Sequence, residues 1–326
     1  MVAEVVETMR DIPAGVVVDA TVGSGGHAEA LLEAHQEIHI LGLDRDGDAI
    51  DRASQNLKKQ NLKNSRVEFC HLRSDYLKAE LQSRNIASIS GFLMDLGVSS
   101  EQIDIEARGF SFRTDGPLDM RMDRTSSLTA ADVVNGYEQE QLAEVLAHYG
   151  DERFARKIAK AIVSTRPIQS TAQLAEVIAR AVPQSSRRGP KSSRNPRSSR
   201  NTAHPARRSF QAIRIEVNEE LRILKDTLPQ AIDALVPEGR GVLIAYHSGE
   251  DRIVKDFLRW AETGGCECPP KLPCQCGAVP TIKLLHRRAR KPSAAEIAAN
   301  SRSSSARMRS FVKLAAEGET NSETND

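Results

Sequence analysis

The sequence predicts an α/β protein with a doubly wound parallel sheet, because apolar strand candidates alternate with helical patterns over its first hundred residues. A glycine-rich turn, Gly23–Gly26, follows the first strand candidate, and an acid, Asp44, ends the second. Strand, glycine turn, helix, strand and acid together form the opening of a nucleotide-type site in such a sheet. The strand candidates are Val16–Ala20, Ile38–Leu43, Val67–His71 and Ile89–Leu96, with helical patterns near 26–34, 47–60 and 75–84.

Helical periodicity replaces this alternation from about residue 105 to 208, with Pro167 and Pro183 as breakers. A strand pattern returns at Gly241–Tyr246 and again at Ser310–Leu314. The sequence therefore predicts one α/β domain interrupted by an all-helical insert. The predicted parts are 1–106 and 209–314 for the α/β domain, 107–208 for the insert, and 315–326 for an acidic disordered tail.

The composition of the 326 residues, 40% apolar and 27% charged, is that of an ordinary globular protein. The chain shows neither an apolar run long enough to cross a membrane nor a secretory signal, so we expect a cytoplasmic protein without a membrane partner. The net charge of +1 hides two basic segments. Residues 187–208 carry eight basic side chains and no acid, and residues 283–313 carry nine with Glu296 as the one acid. Such segments favour a polyanion partner, although a solvated linker is the alternative for 185–203.

The glycine turn leaves two cofactors open. Followed by Ala28, it fits the G-x-G-x-x-A pattern of dinucleotide sites, so an NAD-dependent oxidoreductase is one alternative. Asp19 and Thr21 stand just before the turn, however, and an acid there would repel a pyrophosphate at the helix N-terminus. S-adenosylmethionine carries no phosphate, and a carboxylate suits its sulfonium and ammonium groups. The residues therefore favour the methyl donor.

Polar residues also follow the later strand candidates. Asp95 ends the fourth strand, ahead of Ser99 and Ser100, either of which is typical of a helix N-cap. His247 follows the late strand, where it lines the site or precedes a helix capped by Ser248 with Asp251 three residues on.

Two arginines, Arg207 and Arg214, lie at helical spacing and are candidates for holding RNA phosphates.

Four of the five cysteines form two C-x-C pairs, Cys266/Cys268 and Cys274/Cys276, within the loop 266–277. Proline and glycine between and after the pairs force tight turns, and four thiols in so short a loop could ligate one tetrahedral zinc. A reduced loop whose thiols bind nothing is the alternative. We assign no metal ligand to the main site.

A series of motifs in one order carries a family resemblance across nearly the whole chain. The chain resembles the MraW/RsmH family of bacterial methyltransferases, which act on N4 of a cytidine in 16S ribosomal RNA. The motifs are Asp19-Ala-Thr-Val-Gly-Ser-Gly-Gly-His27, Asp95-Leu-Gly-Val-Ser-Ser100, Arg108-Gly-Phe-Ser-Phe112, Gly116-Pro-Leu-Asp-Met-Arg-Met-Asp123, Phe210-Gln-Ala-Ile-Arg214 and His247-Ser-Gly-Glu-Asp251.

The resemblance implies a class I (Rossmann-like) S-adenosylmethionine-dependent methyltransferase sheet with an inserted helical domain. It also implies 16S rRNA in the small ribosomal subunit as partner, with the target in the decoding region. The donor-binding positions it implies are Gly25, Gly26, His27, Asp44 at the ribose, Ser74, Asp95 and Gln102.

The chain departs from the family pattern in several features. Ser74 stands where many members have Phe, so Tyr76 is the alternative for stacking on the adenine. Gly249 replaces a Leu, and the chain begins after the usual His-x-Pro-Val-Leu segment.

Our hypothesis for the chemistry is that Asp95, or a backbone carbonyl beside it, accepts a hydrogen bond from the cytosine amino group during methyl transfer. The base must be unstacked to react, which favours an exposed or single-stranded target. A non-catalytic RNA-binding assembly factor on the same fold is a further alternative. The sequence leaves open whether naked RNA or the assembled subunit is the substrate, and what the oligomeric state is.

Overall fold

The computed structural model describes residues 1–59, 66–183, 204–269 and 275–315. The basic segment 185–203, Cys274 and nearly all of the acidic tail, whose properties were predicted above, lie outside the described residues. The chain divides into two compact units, one formed by Met1–Gly97 with Leu221–Asp326 and the other by Val98–Glu220. The second unit begins earlier and ends later than the insert drawn from the sequence at 107–208.

The first unit contains a seven-stranded sheet in the order β3-β2-β1-β4-β5-β7-β6. Strands β1 to β5 pair in parallel, whereas β7 pairs antiparallel with both β5 and β6. This sheet confirms the α/β class and the parallel pairing predicted from the alternation. The strands are β1 (Gly15–Asp19), β2 (Ile38–Asp44), β3 (Val67–His71), β4 (Ile89–Asp95), β5 (Leu235–Ala245), β6 (Ile282–Leu284) and β7 (Arg307–Lys313).

The helices of this unit cover both faces of the sheet. Successive residues of β4 face opposite sides, since Leu93 packs in one apolar cluster while Phe92 and Met94 pack in the other. This explains why the parallel strands are continuous apolar runs rather than alternating ones. The helices are α1 (Val2–Thr8), α2 (Gly26–Ala34), α3 (Gly47–Lys59), α4 (Leu77–Ser83), α11 (Glu220–Ala234), α12 (Ser248–Thr263) and α13 (Ala294–Ala299).

Two strands differ from the sequence prediction. β5 starts at Leu235, directly after α11, rather than at Gly241, because a register shift near Ile89 lets Leu235 pair with the start of β4. β6 was not predicted, because three residues held at the sheet edge by β7 alone give too short an apolar pattern.

The described residues of the second unit are helical and enclose their own apolar core. Its helices are α5 (Ser100–Asp104), α6 (Ala130–Gly136), α7 (Gln139–Gly150), α8 (Ala155–Thr165), α9 (Thr171–Ala181) and α10 (Arg207–Asn218). The motif 108–112 joins this core through Phe112, whose ring stacks on His204 with ring centroids 4.8 Å apart and meets Phe210 edge-on. Asn218 fixes the motif 116–123, because its side chain accepts from Met122 N at 2.7 Å and donates to Met120 O at 2.7 Å. Both motifs thus have structural roles in this unit.

Candidate active site

The carboxyl ends of β1, β2 and β4 lie side by side at one edge of the sheet. Asp19 at the end of β1 is level with Gly42 of β2 and Leu93 of β4, so Asp44 and Asp95 each extend two residues beyond it. Strand order reverses between β1 and β4, and ligands of open α/β sheets bind outside the carboxyl ends at such a switch point. The predicted convergence of these acids is therefore observed.

The glycine turn connects β1 to α2 with a backbone that other residues rarely adopt. Gly23 and Gly25 have φ angles of 56° and 88°, and Gly25 is the N-cap of α2. A Cβ on Gly25 would lie 2.9 Å from Leu57 Cδ1, so this position is also closed to a side chain by packing. A Cβ on Gly26, by contrast, would meet no atom within 4 Å. The turn thus leaves an open backbone surface at Gly26, where a ligand can approach.

Asp44 is fixed by the same turn. One carboxylate oxygen accepts from Gly23 N at 2.9 Å and the other from Asp46 N at 2.8 Å. Burial raises the pKa of Asp44, although these two hydrogen bonds oppose the rise. Each oxygen retains a further lone pair, so an oriented carboxylate is available to accept from vicinal hydroxyl groups such as those of a ribose.

Asp19, Thr21, His27 and Asp95 form one connected polar cluster. Asp19 is fully buried, and its Oδ1 accepts from Thr21 N at 3.2 Å. The Thr21 hydroxyl in turn accepts from Asp95 N at 2.6 Å, which joins the end of β1 to the end of β4. His27 Nε2 lies 3.3 Å from Asp95 Oδ2, which connects the first turn of α2 to β4. Within the described part of the chain, Asp19 Oδ2 and His27 Nδ1 are buried without a hydrogen-bond partner.

The pKa values of this cluster are displaced in a direction that suits a cationic ligand. Burial raises the pKa of Asp19 to about 7, against the opposing charge of His27 and the hydrogen bond from Thr21. Burial alone would lower the pKa of His27, but the hydrogen bond to Asp95 and the charges of Asp95 and Asp19 outweigh it and raise the pKa. A cation placed beside Asp19 would favour its ionised form and offset the unfavourable burial of that charge.

Tyr246 and His247 follow β5 on the same edge. Burial, then the charge of Asp95 and a hydrogen bond to it, raise the pKa of the Tyr246 phenol, so Tyr246 stays protonated beside that carboxylate.

His247 is itself the N-cap of α12. Its Nδ1 accepts from Gly249 N and Glu250 N, and its Nε2 lies 3.1 Å from Glu250 Oε1. The expected capping box of Ser248 and Asp251 is therefore wrong by one residue. Nδ1 of His247 thus holds the start of the helix, while Nε2 is buried beside the Glu250 carboxylate.

Ser74 does not face this site with its side chain. Its hydroxyl lies 2.9 Å from Thr227 Oγ1, and the residue is only 5% exposed. This position of the hydroxyl does not favour a contact between the Ser74 side chain and the methyl donor. Tyr76, two residues on, is 52% exposed, with the Arg73 guanidinium 5.5 Å from its ring centroid. It is the aromatic ring available for stacking after β3.

Three predicted site residues belong to the second unit. Gln102 completes a capping box with Ser99: its side chain accepts from Ser99 N at 3.0 Å, and its N–H donates to Ser99 Oγ. Arg207 is exposed at the start of α10, as a phosphate contact requires.

Arg214, however, forms a bidentate ion pair with Glu220 at 2.7 and 2.8 Å, and its side chain is 14% exposed. The guanidinium of Arg214 is thus paired with a carboxylate, and its contact with RNA phosphates stays a prediction.

The sequence reasoning missed one basic surface, on α8. Arg156, Lys157 and Lys160 are exposed, and Arg153 just before the helix is exposed as well. No acidic residue occurs between Glu152 and Glu176. The spacing i, i+3, i+4 and i+7 places the four cations on one side, and that period was visible in the sequence. We refer to these four residues as the α8 basic face.

The sheet order, the antiparallel β7 and the glycine turn after β1 define the class I methyltransferase fold. The chain matches the model of the MraW methylase family over residues 1–314, and it belongs to that family. Membership in a methylase family decides between the two cofactors left open by the glycine turn, in favour of the methyl donor.

The chain is also similar to proteins named ribosomal RNA small subunit methyltransferase H. It is 45% identical to that of Syntrophotalea carbinolica over 319 residues, which is 96% of each chain. It is 43% identical to that of Symbiobacterium thermophilum over 322 residues, 97% of this chain and 96% of the relative. No helix among the described residues is long and apolar enough to cross a membrane.

Asp19→Asn should remove one contribution to the pH dependence of the free energy of unfolding. An aspartate whose pKa is raised from 3.8 to about 7 keeps its proton in the folded state while the unfolded chain loses it. Wild-type stability therefore falls, through this residue, as pH rises from about 4 to 7, and it stays low above 7. The neutral variant should keep this part of the free energy of unfolding, which is on the order of a few kcal/mol. The difference in melting temperature between variant and wild type, without ligand, should thus grow between pH 4.5 and 7.5.

The matched control is Asp51→Asn, which changes an exposed acid on α3. Its difference from wild type should stay constant over the same range. A constant difference for Asp19→Asn as well would contradict the assignment.

Proposed function

We propose that this protein transfers a methyl group from S-adenosylmethionine to N4 of a cytidine in the 16S rRNA of the small ribosomal subunit, in the cytoplasm. The observation that carries the proposal is the contact between His27, which directly follows the glycine turn, and Asp95 at the end of β4, across the switch point of the sheet. The names of the relatives support the choice of ribosomal RNA.

The donor fits the residues of the site. Gly26 offers an open backbone surface, and the Asp44 carboxylate is oriented to accept from ribose hydroxyls. Tyr76 is an exposed ring for the adenine, and buried Asp19 has an oxygen without a partner among the described residues, suited to a cationic group. When bound, S-adenosylmethionine supplies an electrophilic methyl group on a sulfonium. The family resemblance adds Gln102, whose carboxamide oxygen caps α5 within its own unit.

Asp95 is the candidate catalytic residue. The amino group of cytosine is a weak nucleophile, because its lone pair is delocalised into the ring. A carboxylate that accepts a hydrogen bond from N4 draws electron density toward the nitrogen and stabilises the positive charge that develops there. His27 holds the Asp95 carboxylate, and the Thr21 hydroxyl holds the Asp95 backbone by accepting from its N–H; Tyr246 adds a protonated neighbour. The proton released from N4 then has an acceptor next to it.

The α8 basic face and Arg207 are the candidate contacts to RNA. Contacts between lysine or arginine side chains and phosphates do not depend on the base sequence. They would hold a structured RNA in place while one base is exposed to the enzyme. We do not include Arg214 in this set, since its guanidinium is paired with Glu220.

Incubation of the purified protein with methyl-labelled S-adenosylmethionine and small ribosomal subunits lacking this modification should yield N4-methylcytidine. Nucleoside mass spectrometry with fragmentation distinguishes methylation at N4 from methylation at C5 or at the 2′-hydroxyl. Naked 16S rRNA, tested in parallel, shows which form is the substrate. Label in another nucleoside would refute the site of methylation, and no label with either RNA, despite donor binding, would favour the non-catalytic assembly factor.

Asp95→Asn should lower kcat by about 10²–10³-fold, the effect of losing one transition-state hydrogen bond to a developing charge. The Kd for S-adenosylmethionine, measured by calorimetry, should change far less than kcat. The pKa of His27, followed by NMR, should fall, because Asp95 raises it in the wild type. Full turnover with unchanged donor binding would rule out this role.

Alanine at Arg156, Lys157 and Lys160 together should raise the KM for the RNA substrate and leave the Kd for the donor unchanged. The slope of log Kd for RNA against log salt should decrease by about 2, since each phosphate contact contributes about 0.7 on single strands. The control removes three exposed cations elsewhere on the protein, Lys58, Lys225 and Lys255. Equal effects of the two triple variants would show that net charge alone, rather than the α8 basic face, binds the RNA.

A further inference from the structure

The connection between α12 and β6 carries the cysteine-rich loop and is closed tightly at its base. Gly264 ends α12 with a φ of 62°, and a Cβ there would lie 2.4 Å from the backbone carbonyl of Val279. Thr281 N donates to Ala261 O at 3.1 Å, which adds a second link between the helix end and the returning chain. The chain therefore leaves the fold after Gly264 and returns to it at Val279, next to the point where it left.

Three thiols converge within this loop. The Sγ atoms of Cys266, Cys268 and Cys276 all lie within 4.8 Å of one another, although the residues come from both ends of the loop. Thiolates around a tetrahedral zinc, with Zn–S bonds of about 2.3 Å, lie about 3.8 Å apart. A shift on the order of 1 Å would bring the three sulfur atoms to that spacing.

The described part of the loop lies outside the apolar core of its unit. Cys266 and Cys268 are half-buried, while Glu267, Pro269, Gln275, Cys276 and Gly277 are exposed. None of these residues belongs to an apolar cluster of the unit. Small segments that lack a core are commonly stabilised by a disulfide or a metal.

We propose that Cys266, Cys268 and Cys276 bind a zinc ion. Each thiol loses a proton to the solvent as its sulfur coordinates the metal, and nothing is oxidised or reduced. Zinc fits because it favours thiolate ligands in a tetrahedral arrangement. Cys274 lies outside the described residues and is not counted in this site; the fourth position is open to water or another ligand.

The position of this site indicates a structural role. α12 has 16 residues, so its two ends lie about 24 Å apart. His247 caps the end next to Asp95 and Tyr246, whereas the thiols follow the opposite end. The loop leads into β6, the edge strand of the sheet, which pairs only with β7. Zinc here would connect the end of α12 to the edge of the sheet without taking part in methyl transfer.

Metal analysis of the full-length protein tests the proposal. The protein is expressed in zinc-supplemented medium, purified under reducing conditions without chelator or histidine tag, and analysed by mass spectrometry for metals. We expect about one zinc per chain. Cys268→Ser should lose most of it, whereas Cys70→Ser, which alters a thiol on β3 outside the loop, should retain it.

Cobalt substitution of the wild-type protein provides a test that does not depend on whether variants fold. After chelator treatment, Co²⁺ should produce thiolate charge-transfer bands and the strong visible bands of tetrahedral cobalt, and added Zn²⁺ should abolish both. The chelator should also lower the melting temperature of wild type and leave the Cys266/Cys268/Cys276 triple serine variant unchanged.

Three results would each overturn the zinc site: a metal-free wild-type protein without cobalt bands, equal zinc content in the wild type and the triple variant, or a disulfide among these cysteines in reduced preparations.

Discussion

The position of β1 between β2 and β4 is the constraint on which the candidate site depends. Parallel pairing on both sides of β1 brings the ends of three strands to one edge, so that Asp19, Asp44 and Asp95 lie together although 76 positions separate the first from the last. The glycine turn then folds back over this edge, and His27 reaches Asp95 only because Gly23 and Gly25 accept positive φ angles. In the function proposed above, donor binding and acceptor activation share one set of backbone contacts.

The burial of a carboxylate at this edge costs folding free energy. Asp19 is fully buried with an oxygen that has no partner among the described residues, and burial raises its pKa to about 7. A buried apolar or amide side chain would stabilise the fold better. We interpret the buried Asp19 carboxylate as a group that is stabilised by its ligand. A cationic donor would supply the positive charge that offsets the burial of the carboxylate. The same reasoning explains why acids precede a glycine turn that in dinucleotide sites faces a pyrophosphate.

Some charged residues of the sequence motifs are candidates for the site, whereas others stabilise the fold. Arg214 and His247 were expected near the substrate, yet Arg214 pairs with Glu220 and His247 caps α12. Conversely, the α8 basic face belongs to no motif quoted from the sequence. A charged side chain therefore indicates substrate binding only when its partners within the protein are known.

The sequence alone determined the fold class, the glycine turn and the acids at the strand ends, because apolar runs, glycines and strand-terminal polar residues are local signals. It also indicated the family, through motifs spread over the whole chain. Only the tertiary structure decided that Ser74 is buried against Thr227, that Arg214 is neutralised and that Tyr246 adjoins Asp95. Ser74 and Thr227 are 153 positions apart, and Asp95 and Tyr246 are 151 positions apart, so these contacts depend on how distant strands and helices pack. Arg214 and Glu220 are close in sequence, but the turn between α10 and α11 sets their geometry. Periodicity reports which residues are buried; it does not report what each buried polar group touches.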